Sequence, residues 1–467
     1  MSHTPMRVDF QPAGGQGSLA RGNRSVGFGV ETSGSDMIQR LDADALTDVA
    51  NDVVSPSSVF LRVWACFGLA LFAVTWKLWT PQNLYPQVPV FEVLVNAPVV
   101  VDWLALGLIF CSLALLAFQP RLDNVRSRWL ITVFAVSLCV SFLLDQHRLQ
   151  PWAWHWFVFA VIFALASFRD AMFWLRWIVI SVYVYSAISK LDYQFTHSVG
   201  LEMLHAMADL IGVSLVSHSP ESLSRFVLLL PLVELLAGIG SAFVMTRRLF
   251  GWLAMLLHIG LLLILGPWGL NHQSPVLIWN AFFIFQAYWL FVRQPQAERS
   301  SQPRLARAWA AAVVALFVIL FPATCSFGGC DHWLAWELYA PRSSRVTVEL
   351  PGSAIDQLPY SAGNYTKNSQ WMPGVVELDL ARWSLEELGV PVYPNARFQL
   401  GVARAVSDQL DDERFLRVQV KSHSNRRTGQ RSSQQIRGTS EMKEQSSEFW
   451  LNTVPRAIEL RRASPVD

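Results

Sequence analysis

The sequence predicts an all-α polytopic membrane bundle of about nine transmembrane helices, followed by a small α+β extracytoplasmic C-terminal domain. Of its 467 residues, 52% are hydrophobic and only 15% are charged, which is too apolar for an ordinary soluble enzyme. Several apolar stretches approach the roughly 20 residues that a helix needs to span a bilayer. Arginines gather at alternate ends of these stretches, as the positive-inside rule requires of a multi-pass protein.

The first segment, residues 1–55, is rich in Gly, Ser, Asp and Arg and has no apolar stretch like that of a signal peptide. We therefore expect a disordered cytoplasmic tail, and insertion directed by the first membrane segment. The membrane domain is predicted at residues 56–323. Its nine candidate spans are Val59–Trp79, Val99–Phe118, Trp129–Leu144, Trp152–Phe168, Met172–Ser189, Arg225–Met245, Leu249–Leu265, Val276–Val292 and Trp309–Ala323.

The segment Val90–Ala97 is apolar but too short to span, so an interfacial or re-entrant piece is expected there.

The distribution of basic residues favours a cytoplasmic N-terminus. With nine spans counted from that start, the cytoplasmic ends carry Arg62, Arg121, Arg126, Arg128, Arg169, Arg176, Arg247, Arg248, Arg293, Arg299, Arg304 and Arg307. The outer ends carry only Lys77, Arg148, Lys190 and Arg225. This asymmetry predicts that everything after the ninth span lies outside the cytoplasm. The net charge of +2 provides no basic field for nucleic acid, so the expected partner is the lipid bilayer.

Residues 324–467 form the predicted exported domain. Alternating apolar residues indicate strands at Val346–Leu350 and Phe415–Val420, and a helix is expected at Asn395–Leu410. The polar and basic stretch Ser422–Glu448 is interpreted as a mobile loop.

Cys325 and Cys330 enclose the sequence SFGG at the start of this domain. An exported position favours a small disulfide between them, and two free thiols are the alternative. The spacing is not the CxxC of a thiol oxidoreductase. The chain also contains no HExxH, paired-histidine, GxxxxGK[ST] or GxSxG pattern, so no metal site is predicted.

Polar residues of the membrane domain gather in three short loops that the topology places on the outer side. These loops read DQHRLQPW from Asp145, KLD from Lys190 and GPWGLNHQSP from Gly266, and we expect them to meet at one outer site. Ionisable groups inside apolar helices, such as Glu234, are functional candidates by default. The candidate catalytic residues are Lys190, His147 and Glu234. The candidate substrate-binding residues are Asp145, Arg148, Gln150, Asp192, Asn271 and His272.

Each candidate also has a structural interpretation. Lys190 fits equally well a snorkelling anchor paired with Asp192. Glu234 fits a protonated carboxyl that bonds across helices. Asp145 can pair with Arg148 in a polar cap.

The remaining polar residues have similar alternatives. Asn271 and His272 can simply end helices, and His155 and His258 are interpreted as packed core histidines rather than ligands.

The run YSAISKLDYQF, residues 185–195, followed by GLEML at 200–204, resembles the signature of the HTTM domain, the membrane domain shared with vitamin K-dependent gamma-carboxylases. In that family the lysine of Lys-Leu-Asp is the proposed base that deprotonates reduced vitamin K, and it corresponds to Lys190. The resemblance implies a carboxylase-like pocket on the outer face and a quinone cofactor such as reduced vitamin K. The chain departs from the family at Ser189, where the carboxylases have a second lysine.

A second resemblance, to DoxX/MauE-like membrane proteins, rests on GPWGLNH and on Glu234. It implies a quinone-binding or redox-accessory role beside an exported protein partner, without catalysis. A third interpretation is that the bundle only anchors the exported domain.

Overall fold

The structure, a computed structural model, describes residues 56–81, 83–118, 124–293, 305–327, 330–369, 372–412 and 416–457. The predicted N-terminal tail, residues 1–55, lies outside them. The chain from Pro56 onward clusters as one compact unit, and the domain boundary near residue 323 stays a prediction.

The membrane part is built from apolar helices. These are α1 (Pro56–Val74), α2 (Trp76–Trp79), α3 (Val99–Phe118), α4 (Asn124–Leu144), α5 (Pro151–Leu165), α6 (Phe168–Ser189), α7 (Tyr193–His197), α8 (Val199–Leu210), α9 (Pro220–Val227), α10 (Leu229–Ala242), α11 (Arg247–Leu265), α12 (Ser274–Ala287) and α13 (Leu305–Leu320). A π-helical turn, Tyr288–Val292, extends α12. Short 3-10 turns lie at Glu92–Leu94, Gln146–Arg148 and Phe321–Phe327.

Eight helical segments among the described residues are long and apolar enough to cross a membrane. Three of them join successive elements: α9 with α10, α12 with its π-helical turn, and α13 with the 3-10 turn that follows it. The eight segments match eight of the predicted spans within a few residues, and Val99–Phe118 matches at both ends. The helical bundle is thus confirmed. The remaining predicted span corresponds to α5, whose 15 residues are fewer than the roughly 20 that a perpendicular crossing takes. The count of nine spans stays a prediction.

Large apolar side chains cover the outside of the bundle. On α10, for example, Leu229, Leu232, Leu236 and Ile239 follow helical spacing and are all exposed. Such a stripe would be unfavourable in water and is the expected surface of a helix in lipid.

The C-terminal segment contains one five-stranded antiparallel sheet with the order β2-β3-β1-β4-β5. Its strands are β1 (Arg345–Pro351), β2 (Thr366–Asn368), β3 (Val375–Leu378), β4 (Arg417–Lys421) and β5 (Ser433–Arg437). Its helices are α14 (Tyr360–Gly363), α15 (Leu380–Leu388), α16 (Ala396–Ser407) and α17 (Gly438–Ser447), with a 3-10 turn at Gly352–Gln357. The α+β prediction and the two predicted strands agree with this architecture.

The loop predicted at Ser422–Glu448 was wrong, because this stretch holds β5 and α17. Strand β5 reads SQQIR, and Ile436 is its one buried residue, so no apolar alternation marks it. Its backbone pairs with β4 from Arg417↔Arg437 to Lys421↔Ser433. Backbone hydrogen bonding to β4 and the burial of Ile436 therefore hold this edge strand, although its sequence shows no apolar alternation.

A buried ion cluster joins the bundle to the C-terminal segment. Asp102, in the first turn of α3, contacts Arg148 Nη1 at 2.7 Å and Arg456 Nη1 at 2.9 Å. All three side chains have at most 1% exposure. Both guanidinium groups also donate to backbone carbonyls, Arg148 to Leu78 and Arg456 to Ala97. The cluster fixes the last described stretch of chain against the membrane helices.

We expect Asp102→Ala to destabilise the protein strongly, because it leaves two buried guanidinium groups without their counter-charge. Breaking a buried ion pair in this way costs about 3–5 kcal/mol. Thermal unfolding of the detergent-solubilised protein measures the loss. Asp209→Ala, at an exposed position on α8, is the control and should leave the Tm unchanged. Equal Tm values for both variants would show that the cluster contributes nothing.

Candidate functional site

Lys190 and Glu234 form an ion pair near one end of the bundle. Lys190 Nζ lies 2.7 Å from Glu234 Oε2, and the side chains are 9% and 15% exposed. Lys190 Nζ also donates to Ser186 Oγ at 2.6 Å. The lysine therefore does not pair with Asp192 as a snorkelling anchor, and two of the three predicted catalytic residues are in direct contact.

Helical spacing and one glycine bring this pair together. Ser186 and Lys190 are four residues apart and share one face of α6, while Glu234 and Gly238 share one face of α10. A Cβ atom on Gly238 would lie 2.8 Å from Tyr183 Cβ, so only glycine allows the two helix backbones to approach this closely. That approach puts Glu234, one turn earlier, within reach of Lys190.

A second buried polar chain runs beside the pair. Tyr183 Oη lies 3.0 Å from His258 Nε2, and His258 Nδ1 lies 2.8 Å from Asn280 Oδ1. Since the Asn280 amide nitrogen donates to the Val276 carbonyl, its oxygen accepts from His258 Nδ1–H. His258 Nε2 then accepts the Tyr183 hydroxyl proton. The interpretation of His258 as a packed core histidine agrees with this placement.

The polar chain begins at Tyr183 on the same helix as Lys190, and Tyr183 packs against Gly238, one turn from Glu234. Sequence reasoning did not connect Tyr183 and Ser186 with the site. Tyr183 precedes Ser186 by three residues, and Ser186 precedes Lys190 by four. This helical spacing on one face was the signal that could have found them.

We expect Gly238→Ala to destabilise the protein by about 1–3 kcal/mol, because the new methyl group overpacks the contact between α6 and α10. Gly260→Ala on α11 is the matched control, since its Cβ meets nothing within 4 Å. That exchange should be neutral or stabilise the helix by up to about 1 kcal/mol. Thermal unfolding in detergent compares the two, and a Gly238→Ala protein as stable as the control would contradict the close packing.

The loop Asp145–Gln150 lies elsewhere, against the C-terminal segment. Asp145 Oδ1 accepts from the backbone N–H groups of His147 at 3.1 Å and Val88 at 3.3 Å. His147 Nε2 lies 3.2 Å from the Pro391 carbonyl oxygen, and Gln150 Nε2 donates to that oxygen at 3.3 Å. These contacts clamp the loop to the segment before α16.

The predicted convergence of the polar loops is therefore incomplete. Within the described ranges, no hydrogen bond or ion pair links Asp145, His147 or Arg148 to Lys190. Arg148 pairs with Asp102 rather than with Asp145. His147, the third predicted catalytic residue, packs against aromatic rings instead of joining the ion pair.

Burial sets the ionisation of this loop. It raises the pKa of Asp145 from 3.8 to about 6, although the charge of Arg148 and the two backbone hydrogen bonds act in the opposite direction. Burial lowers the pKa of His147 from 6.5 to about 4, partly offset by its hydrogen bond to Pro391. Both side chains are thus favoured in their uncharged forms.

These two shifts predict opposite pH dependences for two variants. Because the folded state binds the Asp145 proton more tightly, that residue's contribution to stability falls as pH rises from about 4 to 6. The contribution of His147 falls as pH drops from about 6.5 to 4, since protonation favours the unfolded chain. The two trends largely cancel in the wild type.

Relative to the wild type, Asp145→Asn should lose Tm on acidification from pH 6.5 to 4, because the His147 trend is no longer opposed. His147→Gln should instead lose Tm as pH rises from 4 to 6. Each trend has a slope of at most about 1.4 kcal/mol per pH unit. Thermal unfolding curves recorded from pH 4 to 6.5 measure both trends. Parallel profiles of Tm against pH for the two variants would contradict the opposite pKa shifts of Asp145 and His147.

The other predicted binding residues have structural contacts. Asp192 caps α7 by accepting from the Phe195 N–H at 2.6 Å. Burial raises the pKa of its carboxyl, while that hydrogen bond and the charges of Arg342 and Arg426 oppose the shift. Asn271, in the left-handed region with φ 50°, and His272 follow α11. The Asn271 N–H donates to the Gly266 carbonyl and the His272 N–H to the carbonyl of Leu265, the last residue of α11. This agrees with their alternative role in ending a helix.

The structure has Cys325 and Cys330 as free thiols, the alternative to the predicted disulfide. The Cys325 thiol instead donates to the Cys330 carbonyl oxygen at 3.2 Å.

All three predicted loops nevertheless contact the C-terminal segment. The first does so through His147 and Pro391. In the second, the Tyr193 N–H donates to the Arg426 carbonyl at 2.7 Å. In the third, the His272 ring lies 6.0 Å from that of Tyr339. The loops therefore share the face of the bundle on which the C-terminal segment sits.

No protein-family model matches the chain, and comparisons with curated proteins and with solved structures give no match either.

Proposed function

We propose that this multi-pass membrane protein has its N-terminus in the cytoplasm and its C-terminal segment outside, with α5 as a short ninth span. The asymmetry of basic residues supports this orientation. The shared contact of the three polar loops with the C-terminal segment supports an odd number of crossings before it. A local tilt or thinning of the bilayer accommodates a span as short as α5.

We further propose that Lys190 and Glu234 form a proton-transfer site of HTTM type, in which Lys190 is the base. The observation that carries this proposal is the 2.7 Å contact between Lys190 Nζ and Glu234 Oε2 at a largely buried position. Ionisable pairs at the edge of an apolar bundle are costly and are typical of proton relays.

The contact provides the step that a lysine base needs. An ammonium group must lose its proton before it can accept one from a substrate. Glu234 takes that proton across the contact. The ammonium and the carboxylate thereby become a neutral amine and a neutral carboxylic acid. The neutral amine then removes a proton from the substrate, and the Glu234 carboxyl releases its own proton to the outer solution. Ser186 Oγ keeps Lys190 Nζ oriented throughout.

The substrate class that fits this site is a hydroquinone, and by the HTTM resemblance reduced vitamin K. Its hydroxyl is weakly acidic, and its apolar tail places it in the bilayer. The exposed apolar stripe of α10, the helix that carries Glu234, offers a lipid-facing path to the site. The expected reaction is a carboxylase-like one in which the deprotonated quinol is the reactive species.

Reconstituted protein given reduced phylloquinone, oxygen, labelled bicarbonate and a glutamate-rich peptide tests this proposal. Lys190→Ala should lower quinol consumption by about 10²–10⁴-fold, the usual contribution of a general base. Lys190→Arg is the sharper variant, because arginine preserves the ion pair with Glu234 but cannot be deprotonated in proteins. It should fold normally and be inactive.

Lys77→Ala, which removes another lysine near a helix end, is the control and should keep wild-type turnover. An active Lys190→Arg protein would falsify the role of Lys190 as base. Quinone binding by the wild type without any turnover would favour the DoxX/MauE-like accessory role instead.

A further inference from the structure

Three metal-binding side chains converge where α13 meets the C-terminal segment. One ligand atom each from Cys325, His332 and Glu337 lies within 4.8 Å of the other two. The three residues are 7%, 3% and 7% exposed. Ionisable side chains such as these are rarely buried together unless they share a partner. A buried thiol, imidazole and carboxylate in one place therefore suggest a common ligand.

A tight loop brings the last two of these residues together. The Ala335 N–H donates to the Asp331 carbonyl and the Glu337 N–H to the His332 carbonyl. Trp336, with φ 59°, adopts the left-handed conformation that L-residues with large side chains rarely take. The loop thereby turns the Glu337 carboxylate back onto the His332 ring, opposite Cys325 at the end of the last span.

The polar atoms of this cluster are incompletely satisfied without a further partner. His332 Nδ1 contacts Glu337 Oε2, but His332 Nε2 is buried and has no hydrogen-bond partner among the described residues. The Cys325 thiol donates a weak hydrogen bond to the Cys330 carbonyl oxygen. A buried imidazole nitrogen with no partner is costly. Coordination of a cation through Nε2 would remove this cost, and the Glu337 carboxylate would move from Nδ1 to the ion.

The donor set identifies the cation. Thiolate and imidazole ligands select Zn²⁺ over Mg²⁺ or Ca²⁺, which require oxygen. A thiolate and a carboxylate together balance the two positive charges of the ion. Three protein ligands leave one of the four tetrahedral positions open for water.

We propose that Cys325, His332 and Glu337 bind one Zn²⁺ ion. The ion links the end of the last span to the loop that follows it, and this loop carries Tyr339, the contact of His272. The site is independent of the proton-transfer proposal, because it shares no residue with Lys190 or Glu234. It also makes the Cys325 thiol unavailable for a disulfide with Cys330.

Metal analysis of the full-length protein, purified in detergent without chelators and dialysed against metal-free buffer, tests the site. The wild type should contain one zinc per chain. Cys325→Ser, His332→Ala and Glu337→Gln should each lower zinc to background. Two matched controls should retain it, Cys139→Ser in α4 and His423→Ala, whose ring lies 4.9 Å from that of His332.

Replacement of zinc by Co²⁺ provides a readout of the ligands themselves. The wild type should show a thiolate-to-cobalt charge-transfer band that Cys325→Ser lacks and Cys139→Ser retains. If the ligand variants fail to fold, the wild type still decides the question. Chelation should lower its Tm, because the ion binds only the folded chain, and ZnCl₂ should restore it.

Three results would overturn the proposal. The first is wild-type protein that takes up no zinc from ZnCl₂, and the second is a Tm that chelation leaves unchanged. The third is a Cys325–Cys330 disulfide that mass spectrometry finds in the purified protein.

Discussion

The rest of the structure depends on the buried carboxylate of Asp102. A carboxylate with no exposure to solvent needs counter-charges, and it obtains them from Arg148 in the membrane part and Arg456 near the end of the described chain. The two arginines in turn bond backbone carbonyls that no helix uses. The membrane helices and the C-terminal segment are therefore held together by buried ion pairs as parts of one compact unit.

This arrangement determines what surrounds Lys190. Because the C-terminal segment is fixed to the bundle, the residues near Arg426 pack directly over α7, which begins three residues after the lysine. The Lys190–Glu234 pair depends on a different constraint, the close approach of α6 and α10 at Gly238. One end of the bundle thus combines a largely buried ion pair, a buried polar chain and the overlying C-terminal segment.

The candidate site was predictable only in its individual members. Lys190 and Glu234 stand out in the sequence because each is ionisable in an apolar stretch, but their pairing joins residues 44 positions apart. The nearest acid in the chain, Asp192, was the wrong partner, since its carboxylate caps the helix that follows it. The three residues proposed to bind zinc matched no sequence motif, because their spacing is set by a loop and a helix end rather than by one element.

The sequence by itself determined the membrane helices and the strand β1. Length, hydropathy and alternation are properties of neighbouring residues. In lipid no water can bond to the backbone, so an isolated spanning segment satisfies its backbone hydrogen bonds only as a helix. Only the tertiary structure decided the partners of Arg148 and Lys190 and the existence of β5. The physical reason is that a buried charge or an unpaired strand edge is satisfied by whatever group the packing brings near it, and that choice is non-local.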